Sequence, residues 1–100
     1  MGRVGVALTT VLVCYDISRD SRRLRVAAAL HQWGERIQRS VFLCQLDRAR
    51  LPRLAARLEA MIDVETDTIH IVPICAGCQD QLVVIGQHRI DPEPPYWVVL

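Results

Sequence analysis

The sequence predicts an α+β domain of the ferredoxin-like class, a sandwich in which two helices cover one face of a mostly antiparallel sheet. Three observations lead to this prediction: strand-like apolar runs alternate with segments of helical period, the connections are short, and 100 residues suffice for one core. The expected chain order is strand, helix, strand, helix and two further strands. We expect the domain over residues 1–86, followed over residues 87–100 by a proline-rich spacer and a C-terminal strand for dimer or partner docking.

The first strand and helix are predicted from composition and period. Residues 7–15 are rich in Val, Leu and Thr, which is typical of a buried strand. Ser18, Asp20 or Ser21 can cap the following helix, and Gly34 is expected to end it. Apolar residues at helical spacing predict its inner face: Leu24, Ala27, Ala28 and Leu30.

The second half of the chain repeats this alternation. A strand is predicted over residues 37–46, with Phe42, Cys44 and Leu46 on one side of it. Pro52 marks the start of a second helix, since it would cost about 3 kcal/mol in a helix interior. This helix has the strongest apolar period in the chain: Leu51, Leu54, Ala55, Leu58, Met61 and Ile62. Further strands are expected over residues 68–74 and 82–85.

The charge of the chain is polarised along its length. Net charge is only +1, but residues 19–57 carry +7 and the remainder carries −6. This distribution predicts one basic face that attracts phosphates. All twelve basic residues are arginine, whose planar fork suits phosphate, although a GC-rich genome would produce the same bias. The longest mostly apolar run has 12 residues, too short to span a bilayer, and we expect a cytoplasmic protein with no membrane contact.

Four cysteines leave several interpretations open. Cys14 and Cys44 lie in strand-like runs, where a thiol acts as a small hydrophobe. Cys75 and Cys78 have the two-residue spacing of half a zinc site or of a redox pair, but no second Cys/His pair lies nearby in the sequence, and structural thiols are the favoured interpretation. The apolar C-terminal residues 96–100 either close the sheet edge of their own chain or dock on another subunit.

Asp16 is the main candidate for chemistry, because it lies where the first strand ends. Such an aspartate is commonly a turn or cap residue, and one carboxylate binds Mg²⁺ weakly. If the first strands of two subunits met at a dimer axis, two Asp16 side chains could share one metal, which would bind a phosphodiester and activate water. Ser40 and the three histidines lack partners at catalytic spacing, and Phe42 is expected in the core, with base stacking as the lesser alternative.

The stretch YDISRDSRRLRVAAALHQWGERIQRSVFLCQLD, followed by MID, IHIVPICAGC and VVIG, resembles the Cas-two family of small CRISPR-associated proteins. The matching motifs run from about residue 11 to residue 86 in the expected order. The resemblance implies a ferredoxin-like homodimer in which Asp16 from both subunits binds Mg²⁺. It also implies a metal-dependent endonuclease acting on RNA, or in some members on duplex DNA, and a bridge that holds DNA for the Cas-one integrase during spacer acquisition.

By the same resemblance, nucleic-acid-binding positions are carried over from the family's motifs: Tyr15, Arg23, Arg25, Arg36, Arg39 and Phe42. Arg39 stands where the family often has an aromatic residue, so a charge replaces a stacking ring there. Three functions follow: a nuclease with Asp16 as the catalytic metal ligand, a DNA-binding bridge without cleavage, and a small-molecule or regulatory domain of the same fold. The charge asymmetry and the lack of a Gly-rich phosphate loop count against the third.

Overall fold

The computed structural model describes residues 8–86, which form four strands and three helices around one core. The strands are β1 (Leu8–Asp16), β2 (Gly34–Gln38), β3 (Val41–Asp47) and β4 (Thr68–Ile74), and the helices are α1 (Asp20–Leu30), α2 (Leu51–Glu59) and the short α3 (Ala76–Asp80). A 3₁₀ turn, Arg48–Arg50, leads into α2. The order βαββαβ of the first six elements confirms the ferredoxin-like class and corrects the predicted chain order.

The sheet has the order β2-β3-β1-β4, and all neighbouring strands are antiparallel. β1 is therefore central, with Cys14 opposite Val41 on one side and opposite His70 on the other. Asp16, the last residue of β1, lies opposite Thr68 at the start of β4. The topology thus brings the end of the first strand and the beginning of the last strand to one edge.

The core lies between the sheet and the two longer helices. Alternate residues of β1 and β3 point into it. Phe42, Cys44 and Leu46, which were predicted to share one side of a strand, are all buried. Leu54 and Leu58 of α2 are buried as the period predicts, and Pro52 lies in the first turn of that helix. The inner face of α1 is rotated from the prediction, with Leu24 and Ala28 only half-buried; the buried residues of α1 are Val26, Ala27, Ala29 and Leu30.

The predicted single strand over residues 37–46 is wrong, because a turn at Arg39 and Ser40 divides it into the hairpin β2-β3. Gly34 begins β2, whereas α1 already ends at Leu30. A Cβ at Gly34 would lie 2.2 Å from the carbonyl oxygen of Leu43. Glycine is therefore required here by the close approach of two strands, and not by the end of a helix.

The other face of the sheet is not covered by α1 or α2, and we call it the open face. It carries half-buried or exposed apolar side chains: Leu12, Cys14, Val41, Leu43 and Val72. The short helix α3 touches it, where the Thr10 hydroxyl donates to Gln79 Oε1 at 2.9 Å. Val72 of the edge strand β4 is 46% exposed, so this side of the open face is accessible in the single chain.

The predicted strand over residues 82–85 is not formed. These residues follow α3 without pairing to a neighbouring strand in the described chain, and their four apolar side chains are exposed. The predicted C-terminal strand and the spacer over residues 87–100 lie outside the described residues. Among the described helices, none has the length and apolar character needed to cross a bilayer.

Candidate functional site

A cleft of about 400 Å³ opens where β1 ends; we call it the Asp16 cleft. Its walls come from the end of β1, the first turn region of α1 and the β2-β3 turn: Tyr15, Asp16, Ile17, Arg23, Arg39 and Ser40. Asp16 is exposed, and within residues 8–86 its carboxylate has no hydrogen-bond or ion-pair partner. Because side chains alternate along a strand, Asp16 shares the open face with Leu12 and Cys14. A solvent-accessible carboxylate is thus left available at the edge of this face.

Tyr15 fixes the hairpin turn beside Asp16. Its backbone N–H donates to the Ser40 carbonyl at 3.0 Å, and its hydroxyl donates to the Arg39 carbonyl at 3.1 Å. The ring is 5% exposed and stacks on Phe42 with 6.3 Å between centroids. Tyr15 therefore acts here as a positioning residue from inside the core.

Phe42 has no exposed surface and lies beneath the same corner of the sheet. Its ring meets His31 edge-on at 4.9 Å, and the Arg36 guanidinium lies 5.6 Å from its centroid. Phe42 cannot stack directly on a base, because its ring is buried and cannot reach a ligand. Its contribution to a site is packing under Tyr15 and the turn.

The four predicted arginines occupy three different positions. Arg23 and Arg39 line the Asp16 cleft, and Arg23 Nη1 donates to the Ile17 carbonyl at 2.9 Å while its other end pairs with Asp20. Arg36 joins the cleft indirectly, since its Nε donates to the Arg39 carbonyl at 3.0 Å. Arg25 lies apart, on the exposed side of α1. The structure therefore brings two of the four guanidinium groups beside Asp16.

An ion pair between half-buried Arg22 and buried Asp67 was not anticipated from the sequence. Asp67 is 6% exposed, and Arg22 Nε donates to its Oδ2 at 2.8 Å. Its carboxylate also accepts the Ser18 N–H at 3.2 Å, the Asp63 N–H at 3.0 Å and the Thr66 hydroxyl at 3.1 Å. The Arg22 hydrogen bond, aided by these N–H donors, holds the pKa of Asp67 well below its usual range despite burial. Asp67 thereby ties the chain after β1 to the chain before β4.

The described residues contain no group of three or more His, Cys, Asp or Glu side chains that could hold a metal ion. Asp16 alone supplies one carboxylate in an open cleft, and it fits a Mg²⁺ ion that keeps waters and phosphate oxygens as its other ligands. A single carboxylate binds such an ion weakly. The other residues that line the Asp16 cleft supply no second carboxylate.

All four cysteines are free thiols. Cys75 and Cys78 are exposed, and Cys75 Sγ accepts the Cys78 N–H at 3.4 Å. Hydrogen bonds from Cys78 lower the pKa of Cys75, whereas burial raises the pKa of Cys44 to about 11. The Cys75–Cys78 pair is thus the accessible thiol pair, and Cys44 packs as a hydrophobe.

The sequence and the fold are both similar to those of known proteins. Residues 9–82 match the family model described as CRISPR associated protein Cas2. The chain is 36% identical over 89 residues to CRISPR-associated endoribonuclease Cas2 4 of Rhodospirillum rubrum, covering 89% of this chain and 72% of that protein. It is 42% identical over 74 residues to CRISPR-associated endonuclease Cas2 2 of Thermus thermophilus, covering 74% and 78%. The crystal structure of Streptococcus pyogenes Cas2 at pH 6.5 superposes with a TM-score of 0.69 at 33% identity, covering 77% of this chain and 99% of that one.

Proposed function

The chain belongs to the CRISPR-associated Cas2 family, and from that premise we propose that it is a Mg²⁺-dependent endonuclease. Single-stranded RNA is the proposed substrate, with duplex DNA as the alternative. The observation that carries the proposal is Asp16: it is exposed, it lacks a partner within the described chain, and it lies in a cleft flanked by two arginines. Relatives named endoribonuclease and endonuclease support the same reaction class.

In the proposed mechanism each residue around Asp16 has a separate role. Asp16 would hold Mg²⁺, which when bound supplies a Lewis acid and a water of lowered pKa. Arg23 and Arg39 bind the phosphodiester and offset the charge that develops on its oxygens. Tyr15 keeps the turn that carries Arg39 in register with the end of β1, because its hydroxyl is bonded to the Arg39 carbonyl.

We also propose that the working unit is a homodimer. The open face leaves Leu12, Leu43 and Val72 without a covering layer from α1 or α2, and a second copy across a two-fold axis would bury them. Since Asp16 lies on that face, the same axis can bring the second Asp16 near the first and supply the missing ligand. The exposed apolar residues 82–85 and the chain beyond them could add a strand to the partner's sheet.

The second candidate is a DNA-binding bridge that works with the Cas-one integrase in spacer acquisition and cuts nothing. The concentration of positive charge in residues 19–57 favours it, because holding a duplex requires arginines and no metal. The two functions are compatible, but they assign different importance to Asp16. If the protein is a DNA-binding bridge without nuclease activity, Asp16→Ala leaves DNA binding and spacer integration intact.

The deciding experiment is cleavage of end-labelled single-stranded RNA and duplex DNA by purified protein in Mg²⁺ or in EDTA. Wild type is compared with Asp16→Ala and with Asp80→Ala, a control that removes another exposed carboxylate outside the Asp16 cleft. We expect cutting in Mg²⁺ only, reduced by about 100-fold or more in Asp16→Ala and unchanged in Asp80→Ala. Cutting that survives Asp16→Ala would refute the nuclease assignment, and absence of cutting by wild type would leave the bridge.

A further inference from the structure

A second arginine-lined cleft lies at the opposite end of the sheet from Asp16. It has a volume of about 390 Å³ and is lined by residues of α2 and of the segment on each side of the hairpin: Trp33, Arg50, Arg53, Leu54 and Arg57. The Trp33 carbonyl accepts the Gln45 N–H at 3.2 Å, and Gln45 lies opposite Thr10 of β1. Thr10 and Asp16 are six residues apart on that strand, so the two clefts are separated by about 20 Å along the sheet. We call the second one the Trp33 cleft.

The three arginines of the Trp33 cleft follow one side of the 3₁₀ turn and of α2. Arg50, Arg53 and Arg57 are spaced by three and four residues, and all are exposed. Arg50 lies 3.4 Å from Asp47, but no carboxylate in residues 8–86 pairs with Arg53 or Arg57. The like charges of these guanidinium groups repel one another. Binding of a negatively charged ligand in the cleft would reduce this repulsion and is therefore favoured.

Trp33 gives this cleft an aromatic wall. The Arg50 guanidinium lies 5.8 Å from the ring centroid, which places a cation over the indole. The indole Nε1–H is buried and has no hydrogen-bond partner among the described residues. An unpaired buried donor is unfavourable, and a ligand that brings an acceptor into the cleft can relieve it if the ring turns.

The basic surface continues beyond the cleft. Arg57 also lines a neighbouring groove of about 300 Å³, together with Arg25 and Gln32 of the α1 side. Arg25, which is absent from the Asp16 cleft, thus belongs to a track that runs over the helix layer from α2 to α1. A track of this kind fits a polymer with repeated negative charge better than a small anion.

We propose that the Trp33 cleft and its continuation to Arg25 bind the phosphodiester backbone of a nucleic acid. The α-carbons of Arg53 and Arg57 are about 6 Å apart along the helix axis, which lets the two forks engage neighbouring phosphates of one strand. The arginines contact phosphates and read no sequence. Trp33 is half-buried and packs against the core, so its part is to support Arg50 at the edge of the cleft. An acidic protein surface would also engage the guanidinium forks, but its carboxylates lack the regular repeat of a phosphodiester backbone.

This proposal goes beyond the assignment of Asp16, because it needs neither metal nor cleavage. It adds a contact about 20 Å from the Asp16 cleft, so that one nucleic acid can be held at both ends of the sheet. The test is made in EDTA with Asp16 intact. Failure of the nuclease assignment and failure of the Trp33 cleft can therefore be observed separately.

The experiment measures binding of fluorescein-labelled duplex DNA and single-stranded RNA by anisotropy at several salt concentrations. Arg53→Glu and Arg57→Glu are compared with Arg48→Glu, which reverses an exposed arginine of the same segment that does not line the cleft. We expect each cleft variant to weaken binding about tenfold or more, with the salt slope falling by about one per arginine. Arg48→Glu should weaken it by less than about threefold at roughly 0.15 M salt.

A second readout uses Trp33 itself. In a Trp97→Phe background Trp33 is the only tryptophan, since the chain has two. We expect its fluorescence to change on addition of the unlabelled nucleic acid and this change to be lost in Arg53→Gln. Equal weakening by Arg48→Glu, unchanged affinity in the cleft variants, or a Trp33 response to poly-glutamate but not to nucleic acid would overturn the proposal.

Discussion

Asp67 and Asp16 lie in the same corner of the molecule but have opposite surroundings. Asp16 is opposite Thr68 in the sheet, and Asp67 is the residue immediately before Thr68. Asp67 is buried and accepts hydrogen bonds from several donors, whereas Asp16 is exposed and has none within the described chain. The number of hydrogen-bond donors around a carboxylate therefore determines whether it stabilises the fold or remains free for a ligand.

Removing each carboxylate in turn should affect stability very differently. Asp67→Ala leaves the N–H groups of Ser18 and Asp63 without their acceptor, and we expect the melting temperature to fall by roughly 10 °C or more. Asp16→Ala should change it by less than about 2 °C. Thermal unfolding followed by circular dichroism in EDTA measures both. Equal shifts would show that the two carboxylates do not differ in their contribution to stability.

A smaller effect is expected when the cation of the Arg22–Asp67 pair is removed. Arg22→Met leaves Asp67 its remaining donors, so the melting temperature should fall by roughly 5 °C. In the double variant Arg22→Met/Asp67→Ala the loss should be less than the sum of the two single losses, because the pair acts as a unit. Strictly additive losses would mean that Arg22 and Asp67 contribute independently.

The stability of the fold should depend on pH through the ionisation of Asp67. Its pKa is lowered in the folded protein, so its contribution is fully present above the unfolded value of 3.8 and is lost as the pH falls towards the folded value. We therefore expect wild type to lose a few degrees more than Asp67→Ala between pH 5 and pH 2.5. Melting curves of the two proteins across that range measure the difference. Parallel curves would contradict the assigned role of Asp67.

Cys75 and Cys44 also differ in burial, and modification of Cys75 is expected to have the smallest effect on the fold. Cys75 is exposed and its pKa is lowered, whereas the pKa of buried Cys44 is raised to about 11. At pH 8 iodoacetamide should modify Cys75 at least about tenfold faster than Cys44. Mass spectrometry of peptides at timed intervals gives the order. Modification of Cys44 before Cys75 in the folded protein would contradict the described burial.

The elements that the sequence predicted correctly are those with clear periodicity or special residues. Leu54 and Leu58 follow the helical period, and Pro52 marks the start of α2. The hairpin was missed because Arg39 and Ser40 interrupt a continuous alternating run without a glycine, proline or asparagine to signal a turn. The run over residues 82–85 was assigned to a strand because composition does not reveal whether a partner strand is present.

The site was predictable only where a residue's position along a strand determined its role. Asp16 was identified because it ends an apolar run, and its accessibility agrees with that reasoning. The Arg22–Asp67 pair was missed because its partners are 45 residues apart in sequence. The Trp33 cleft was missed for the same reason, since its arginines resemble an ordinary solvated helix face until the fold places the indole ring beside them.

The open face has a consequence for the amount of protein that a cell must make. If a second copy covers Leu12, Leu43 and Val72, part of the free energy of folding comes from assembly, and stability then rises with protein concentration. At low abundance the equilibrium shifts towards lone chains with an accessible apolar sheet, which proteases and chaperones recognise. Expression level would then act as a threshold that sets when functional protein accumulates.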